Sequence, residues 1–338
     1  MTAAAPPCPW LVADIGGTNA RFGWVAAPGA PAGHVRTLHS ADHADAAAAA
    51  RVYLGALAGE LGSAYEPPRA AAFAVATAVE GDRISFTNSA WSFSRHETQH
   101  ALALERLELL NDFEALALAL PALQGEQLRV VGTVAPAAAG ARAVIGPGTG
   151  LGVAGLVHSS RLSGGASGGR WVAVPGEGGH ATLAAGDDFD SAVIAVARRA
   201  CGHVSAERLL SGIGLPLLHR AVAEVLGVVA PAATTEQIVA DALAGSDALA
   251  VRTLECFCAL LGGFAGDVAL TFGARGGLYI GGGIVPRLGA LFERSAFRAR
   301  FEAKGRFEPY LRGIATAVIV DTLAALAGAA AALAQGRA

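Results

Sequence analysis

The chain has 338 residues, 53% of them hydrophobic and only 16% charged, with 25 Lys plus Arg against 28 Asp plus Glu. That length allows two domains with a substantial core, and the hydrophobic share excludes a disordered chain. A net charge of −3 leaves no basic stripe for nucleic acid and no charged tail. The first nine residues lack a basic start and an unbroken apolar run, so no secretory signal is expected. The longest apolar stretch, 323–334, falls short of the roughly 20 residues a bilayer requires and reads as a packed terminal helix. The cysteines, Cys8, Cys201, Cys256 and Cys258, show no zinc spacing. A reduced, cytoplasmic protein is expected, with no membrane and no nucleic-acid partner.

In chain order, the first strand is Leu11-Val-Ala-Asp14-Ile15, followed by the turn Gly16-Gly17-Thr18 and a second strand reaching Val25. A helix is predicted over about 44–61, a strand over 70–77, and a short strand pair around 83–88. A helix from about 95 and the strand 107–111 come next. From Asp112 to Leu120 the apolar spacing turns helical and stops at Pro121. The strand–turn–strand pattern then returns as Ala143-Val-Ile-Gly146-Pro-Gly148-Thr149-Gly150-Leu-Gly152-Val-Ala-Gly-Leu-Val157. Residues 159–169, rich in Gly and Ser, predict a flexible loop. Helices dominate 187–272, and 276–283 reads as a buried strand ending at a glycine turn, with Pro286 at a first helical position. Alternating strands and helices argue for two α/β lobes, 1–122 plus 319–338 and 123–318. The C-terminal helix returns to the first lobe in this reading.

Each Gly-Thr turn alone can be an ordinary hairpin. Two copies of one turn, with backbone N–H groups free to face an anion, suggest a duplicated phosphate clamp. No Walker P-loop sequence occurs. Gly150-Leu-Gly152-Val-Ala-Gly155 matches the dinucleotide fingerprint, but a β-rich run follows where that motif needs a helix.

Four further groups have chemistry in reach. Asn111-Asp112 stands at a strand-to-helix junction, where Asp112 is either a helix cap or a reacting carboxylate. Glu177 and His180 lie in Gly176-Glu-Gly-Gly-His180, whose glycines disfavour a helix. They form either a solvated turn or a loop open to a small polar ligand. Glu207 follows Ser205, a helix cap, and would favour the helix dipole there. Asp14 is a turn aspartate or a carboxylate beside a metal-bound phosphate.

Taken in order, these motifs resemble the bacterial ATP-dependent glucokinases of the hexokinase group, in the actin-like ATPase superfamily. The resemblance covers nearly the whole chain. It rests on Ala13-Asp-Ile-Gly-Gly-Thr-Asn-Ala-Arg21, Asn111-Asp-Phe113, Gly146-Pro-Gly-Thr-Gly-Leu-Gly152 and Pro175-Gly-Glu-Gly-Gly-His180. His203-Val-Ser-Ala-Glu-Arg-Leu-Leu-Ser-Gly212 and Gly281-Gly-Gly-Ile-Val-Pro-Arg287 complete it.

The resemblance implies a two-lobed actin-like ATPase (ribonuclease H-like) fold, with a duplicated core and an interlobe cleft. Asp112 would take the proton of the glucose 6-hydroxyl. Asn111, Glu177, His180 and Glu207 would hydrogen-bond the other hydroxyls. Ala13, Asp14, Ile15, Gly16, Gly17 and Thr18, with Gly148, Thr149 and Gly150, would hold ATP phosphates. Asp14 would lie near Mg²⁺, bound through water, and Gly281, Gly282 and Gly283 would let adenine lie against the backbone. A homodimer is implied, and no structural zinc, because the cysteine cluster of the related repressor–kinase family is missing. The first phosphate motif also starts too near the N-terminus for a preceding DNA-binding segment to be expected. A kinase for another hexose and a non-metabolic actin-like ATPase are the competing readings. Asn111-Asp112 argues against the second.

Overall fold

The structure is a computed structural model that describes residues 5–86, 91–137, 139–159 and 169–335. It divides into two compact units. The first unit's described residues lie within Met1–Leu123, Leu162–Ala173 and Thr322–Ala338, and the second unit's within Gln124–Arg161 and Val174–Asp321.

The first unit is built on strands β1 (Trp10–Ile15), β2 (Asn19–Val25) and β3 (Gly33–His39), then helix α1 (Ala46–Leu61) and strand β4 (Ala70–Val75). A short antiparallel pair, β5 (Arg83–Ser85) and β6 (Ser92–Ser94), precedes α2 (Arg95–Ala101), β7 (Arg106–Asn111) and α3 (Asp112–Ala119). The end of the predicted 83–88 pair falls outside the described residues. The sheet runs β3-β2-β1-β4-β7, with β1 antiparallel to β2 and parallel to β4, and β4 parallel to β7. Every residue of β4 is buried and β1 is apolar except at Asp14, as strands covered on both faces must be. Phe22 stacks on Tyr53 of α1 and meets Phe73 edge-on, closing one face. The C-terminal helix Ala324–Ala334 packs on α3, β4 and β1 and covers the other.

The second unit contains β8 (Leu128–Val131), β9 (Arg142–Pro147), β10 (Leu151–His158) and, from Val174 onward, the end of β11 (Trp171–Gly176). Helices α4 (Asp188–Cys201), α5 (Ala206–Leu209), α6 (Leu215–Leu226), α7 (Thr235–Ala244) and α8 (Ala248–Phe272) follow. The unit ends with β12 (Leu278–Ile280), α9 (Val285–Leu288), α10 (Ala290–Arg294), α11 (Phe297–Glu302), α12 (Glu308–Arg312) and β13 (Thr316–Ile319). Its sheet runs β11-β10-β9-β12-β13-β8. The first five positions repeat the order of the first sheet: a hairpin whose inner strand lies parallel to the next two. The core is therefore duplicated, with β8 added antiparallel at one edge. Neither β8 nor β13 is evident in the sequence, because four-residue segments carry no readable period. Most of the predicted 159–169 loop, residues 160–168, lies outside the described residues.

Helix α8 is long and apolar enough to cross a bilayer by length and composition. Leu254, Phe257, Leu261 and Ala265 are fully buried in the second unit's core, so its hydrophobicity serves packing. A helix that is apolar on most faces is the usual centre of a large core.

Close approach of helices depends on glycine. A Cβ at Gly328 would lie 1.7 Å from the Ala115 carbonyl oxygen on α3. Backbone cannot yield that distance cheaply, so Gly328→Leu should force the C-terminal helix off α3. The expected loss is about 3 kcal/mol, the upper range for overpacking, read as a melting midpoint lowered by several degrees. The control is Gly55→Ala, at a position where nothing lies within 4 Å. It should leave the midpoint unchanged or slightly raised.

Candidate active site

In the first unit, parallel register brings the site residues to one end of the sheet. Ile15 is level with Val75, and Val75 with Asn111, so Asp14 and the β7–α3 junction share the carboxyl ends of neighbouring strands. That edge is where open α/β sheets bind ligands. Gly16 N–H donates to Asn19 O at 2.9 Å, closing the β1–β2 turn, and Thr18 O accepts from Ser40 N–H at 2.9 Å. A cavity of about 270 Å³ opens there, lined by Asp14, Gly16, Gly17, Thr18, Asn19, Arg21 and Thr37. Arg21 faces Asp14 across the hairpin and is fixed by donating to Thr322 O at 2.5 Å. Burial pushes the Asp14 carboxyl up, and the Arg21 charge pulls it partly back. No role for Arg21 follows from the sequence reading, although the register of so short a turn places it opposite Asp14.

At the junction, the cap falls on Asn111. Its Oδ1 accepts from Phe113 N–H at 2.9 Å, and its Nδ2 donates to Thr77 O at 3.2 Å. Asp112 is the first residue of α3, its Oδ1 sharing the same Phe113 N–H at 2.9 Å. The cap reading of Asp112 is thereby corrected by one position: both residues have the right oxygen, but only Asn111 has the extended backbone a cap needs. Burial first, and the Asp14 charge second, push the Asp112 carboxyl up to about 6. Such a carboxylate can exchange a proton near neutrality.

In the second unit, the β9–β10 turn is closed by Gly148 N–H donating to Gly150 O at 2.9 Å. Gly148 O accepts from Gly212 N–H at 2.7 Å, anchoring the turn to the segment after α5. Glu207 does not serve a helix dipole, since α5 has only four residues. Its Oε2 accepts from Leu151 N–H at 2.8 Å, and a Cβ at Gly150 would lie 2.5 Å from that oxygen. The segment Gly178–His180 forms a single 3-10 turn, in keeping with the turn that is one of the two alternatives open in the sequence. Gly179 presses on β10 so closely that a Cβ would meet Leu151 O at 2.0 Å. The result brings three predicted residues together: His180 lies 3.9 Å from Glu177 through Nε2 and 3.9 Å from Glu207 through Nδ1. Glu177 and His180 are exposed, and Glu207 is half-buried.

Gly281, Gly282 and Gly283 leave the carboxyl end of β12 beside the same turn. Gly281 N–H donates to Ile145 O at 2.8 Å, and Ile284 N–H to Pro147 O at 3.1 Å. Gly282 has φ +76 and its missing Cβ would meet Pro147 O at 2.4 Å, so glycine is required there. Among the described residues, no group of three or more His, Cys, Asp or Glu side chains gathers as a metal centre.

A family model described as Glucokinase matches residues 11–336. Over 332 residues the chain is 47% identical to the glucokinase of Aromatoleum aromaticum, covering 98% of this chain and 96% of that one. It is 44% identical over 328 residues to a Burkholderia thailandensis protein named bifunctional protein glk, covering 97% of this chain and 49% of that protein. The crystal structure of a glucokinase from an Antarctic psychrotroph is 36% identical, with a TM-score of 0.87 over 97% of this chain and 99% of that one. The duplicated sheet is that of the actin-like ATPase fold. A match running almost end to end, on this fold and with nearly half the residues shared, means that the chain belongs to the glucokinase family.

Proposed function

We propose that Asp112 is the general base with which this glucokinase-family chain phosphorylates glucose from ATP at the sugar 6-hydroxyl. The observation that carries this is the division of labour at the β7–α3 junction. Asn111 takes the cap position, and burial beside Asp14 keeps the proton affinity of Asp112 near working pH. The 6-hydroxyl oxygen bonds to the γ-phosphorus, its proton passes to Asp112, and the bond to the ADP oxygen breaks. Phosphoryl transfer of this kind depends on positioning and charge neutralisation more than on covalent help.

The remaining residues divide between two ligands in this reading. Glu177, His180, Glu207 and Asn111 hydrogen-bond the ring hydroxyls, and a sugar lacking one leaves a polar group unpaired. The turns at Ala13–Thr18 and Gly148–Gly150 offer backbone N–H groups to the phosphates, while Gly281–Gly283 present bare backbone to adenine. The Asp14 cavity has a carboxylate and hydroxyl oxygens but no imidazole or thiol in its lining, a donor set that suits Mg²⁺. Bound through water near Asp14, Mg²⁺ would neutralise phosphate charge. The reading includes a cytoplasmic homodimer, as the family resemblance implies.

Asp112→Asn is expected to bind glucose normally and to lose at least about 10²-fold in kcat, the low end for a general base. The wild-type rate should fall as pH drops below about 6, where Asp112 takes up a proton. Stability moves the other way. The folded carboxyl titrates at about 6 against an ordinary 3.8, so its ionisation opposes folding above pH 6. The neutral variant should therefore melt higher at pH 7.5, and the gain should vanish as pH falls from about 6 to 4. A variant with normal kcat would reduce Asp112 to a structural role.

His180→Ala should raise the glucose KM at least about tenfold, as losing a hydrogen bond in a polar site does, and leave ATP affinity within a few-fold. Equal effects on both ligands would show that His180 shapes the fold, not the sugar site. Chelation of divalent ions should stop turnover while the melting curve stays unchanged. A large drop in melting midpoint would instead indicate a structural metal.

A further inference from the structure

We propose that the cavity beside His180 and Glu207 continues into an anion subsite, built by Arg208 and Arg220, that takes a phosphate group. The cavity measures about 450 Å³ and is lined by Thr149, His180, Glu207, Arg208, Ser211 and Arg220 among others. Pockets of that size hold ligands larger than a single sugar ring.

Its polar lining is unbalanced toward donors. Arg220 stands one helical turn before Glu224 on α6, the natural partner for its charge, but Glu224 is already paired with Arg199. Arg208 follows Glu207 on α5, whose carboxylate is spent on Leu151 N–H and faces His180. Neither guanidinium has a hydrogen bond or ion pair among the described residues. Ser211 is 1% exposed and its Oγ accepts from Gly214 N–H at 3.0 Å, so its own proton remains to be given to a ligand. Two unpaired guanidinium forks and a buried hydroxyl donor suit a dianionic tetrahedral group better than a flat carboxylate.

Phosphate can reach this subsite free in solution or carried on a hexose whose ring rests on His180 and Glu207. The second source rests on the proposed sugar role of those residues, and the first does not. Calorimetric titration separates them. Wild-type protein is titrated with inorganic phosphate and with glucose 1-phosphate, each with and without saturating glucose, and the series is repeated with Arg208→Gln/Arg220→Gln.

Binding of at least one phosphate compound is expected, weakened about tenfold or more in the double variant, as loss of a charge-assisted contact implies. Glucose affinity should change less than about twofold, within the range of a surface substitution. Saturating glucose should block a sugar-borne phosphate and spare a free one. No binding of either compound at about 10 mM, beyond the weakest specific range, overturns the subsite. Equal affinity in wild type and variant overturns it as well. Should the double variant fail to fold, Arg220→Gln on the exposed side of α6 carries the same comparison. Failure of glucose itself to bind wild type would defeat the proposed function, while the inorganic phosphate titration would still decide the subsite.

Discussion

Holding two carboxylates, Asp14 and Asp112, partly out of water at one end of a sheet is the constraint around which the first unit is organised. Burial raises the proton affinity of both carboxyls, and the Asp14 charge raises that of Asp112 further. The surroundings offset this with Arg21 across the hairpin and the Phe113 N–H at the start of α3. The helix N-terminus supplies further partial positive charge. All of these depend on parallel register across β1, β4 and β7, and that register depends on the fully buried, small-residue strand β4 between them.

The second unit uses the same sheet order for a different purpose. Its strand ends carry two glycine turns in place of carboxylates, joined by backbone hydrogen bonds from Gly281 to Ile145 and from Ile284 to Pro147. Acidic and imidazole side chains enter only from outside the sheet, through the 3-10 turn at Gly178–His180 and the short helix α5. One topology thus supplies a proton-holding edge in one unit and an edge of bare backbone in the other.

Much of this was legible in the sequence because it is local. Apolar runs broken by Gly-Thr mark β1–β2 and β9–β10 directly, and Pro121 and the glycines bound the helices. What stayed hidden depends on distance or on single-residue offsets. Asn111 and Asp112 are both good caps by type, and only backbone angles choose between them. The Glu207 bond to Leu151 spans 56 residues, so a propensity argument at Glu207 finds the helix dipole and misses the true partner. Alanine-rich stretches such as 323–334 indicate a helix but not that Gly328 must touch Ala115. The strands β8 and β13 are set by pairing, β13 with β12 and β8 with β13, which no local pattern encodes.

Leu151 has both of its backbone groups engaged at the head of β10. Its N–H is held by Glu207, and its carbonyl is pressed by Gly179, one residue before His180. The same residue follows directly on the Gly148–Gly150 turn. In the proposed assignment, a nucleotide that shifts that turn must therefore move the groups that grip the sugar. Thermodynamic linkage makes such an effect mutual: whatever factor the nucleotide imposes on sugar affinity, the sugar imposes on nucleotide affinity. The backbone of one residue, Leu151, would then set the cooperativity between the two substrates.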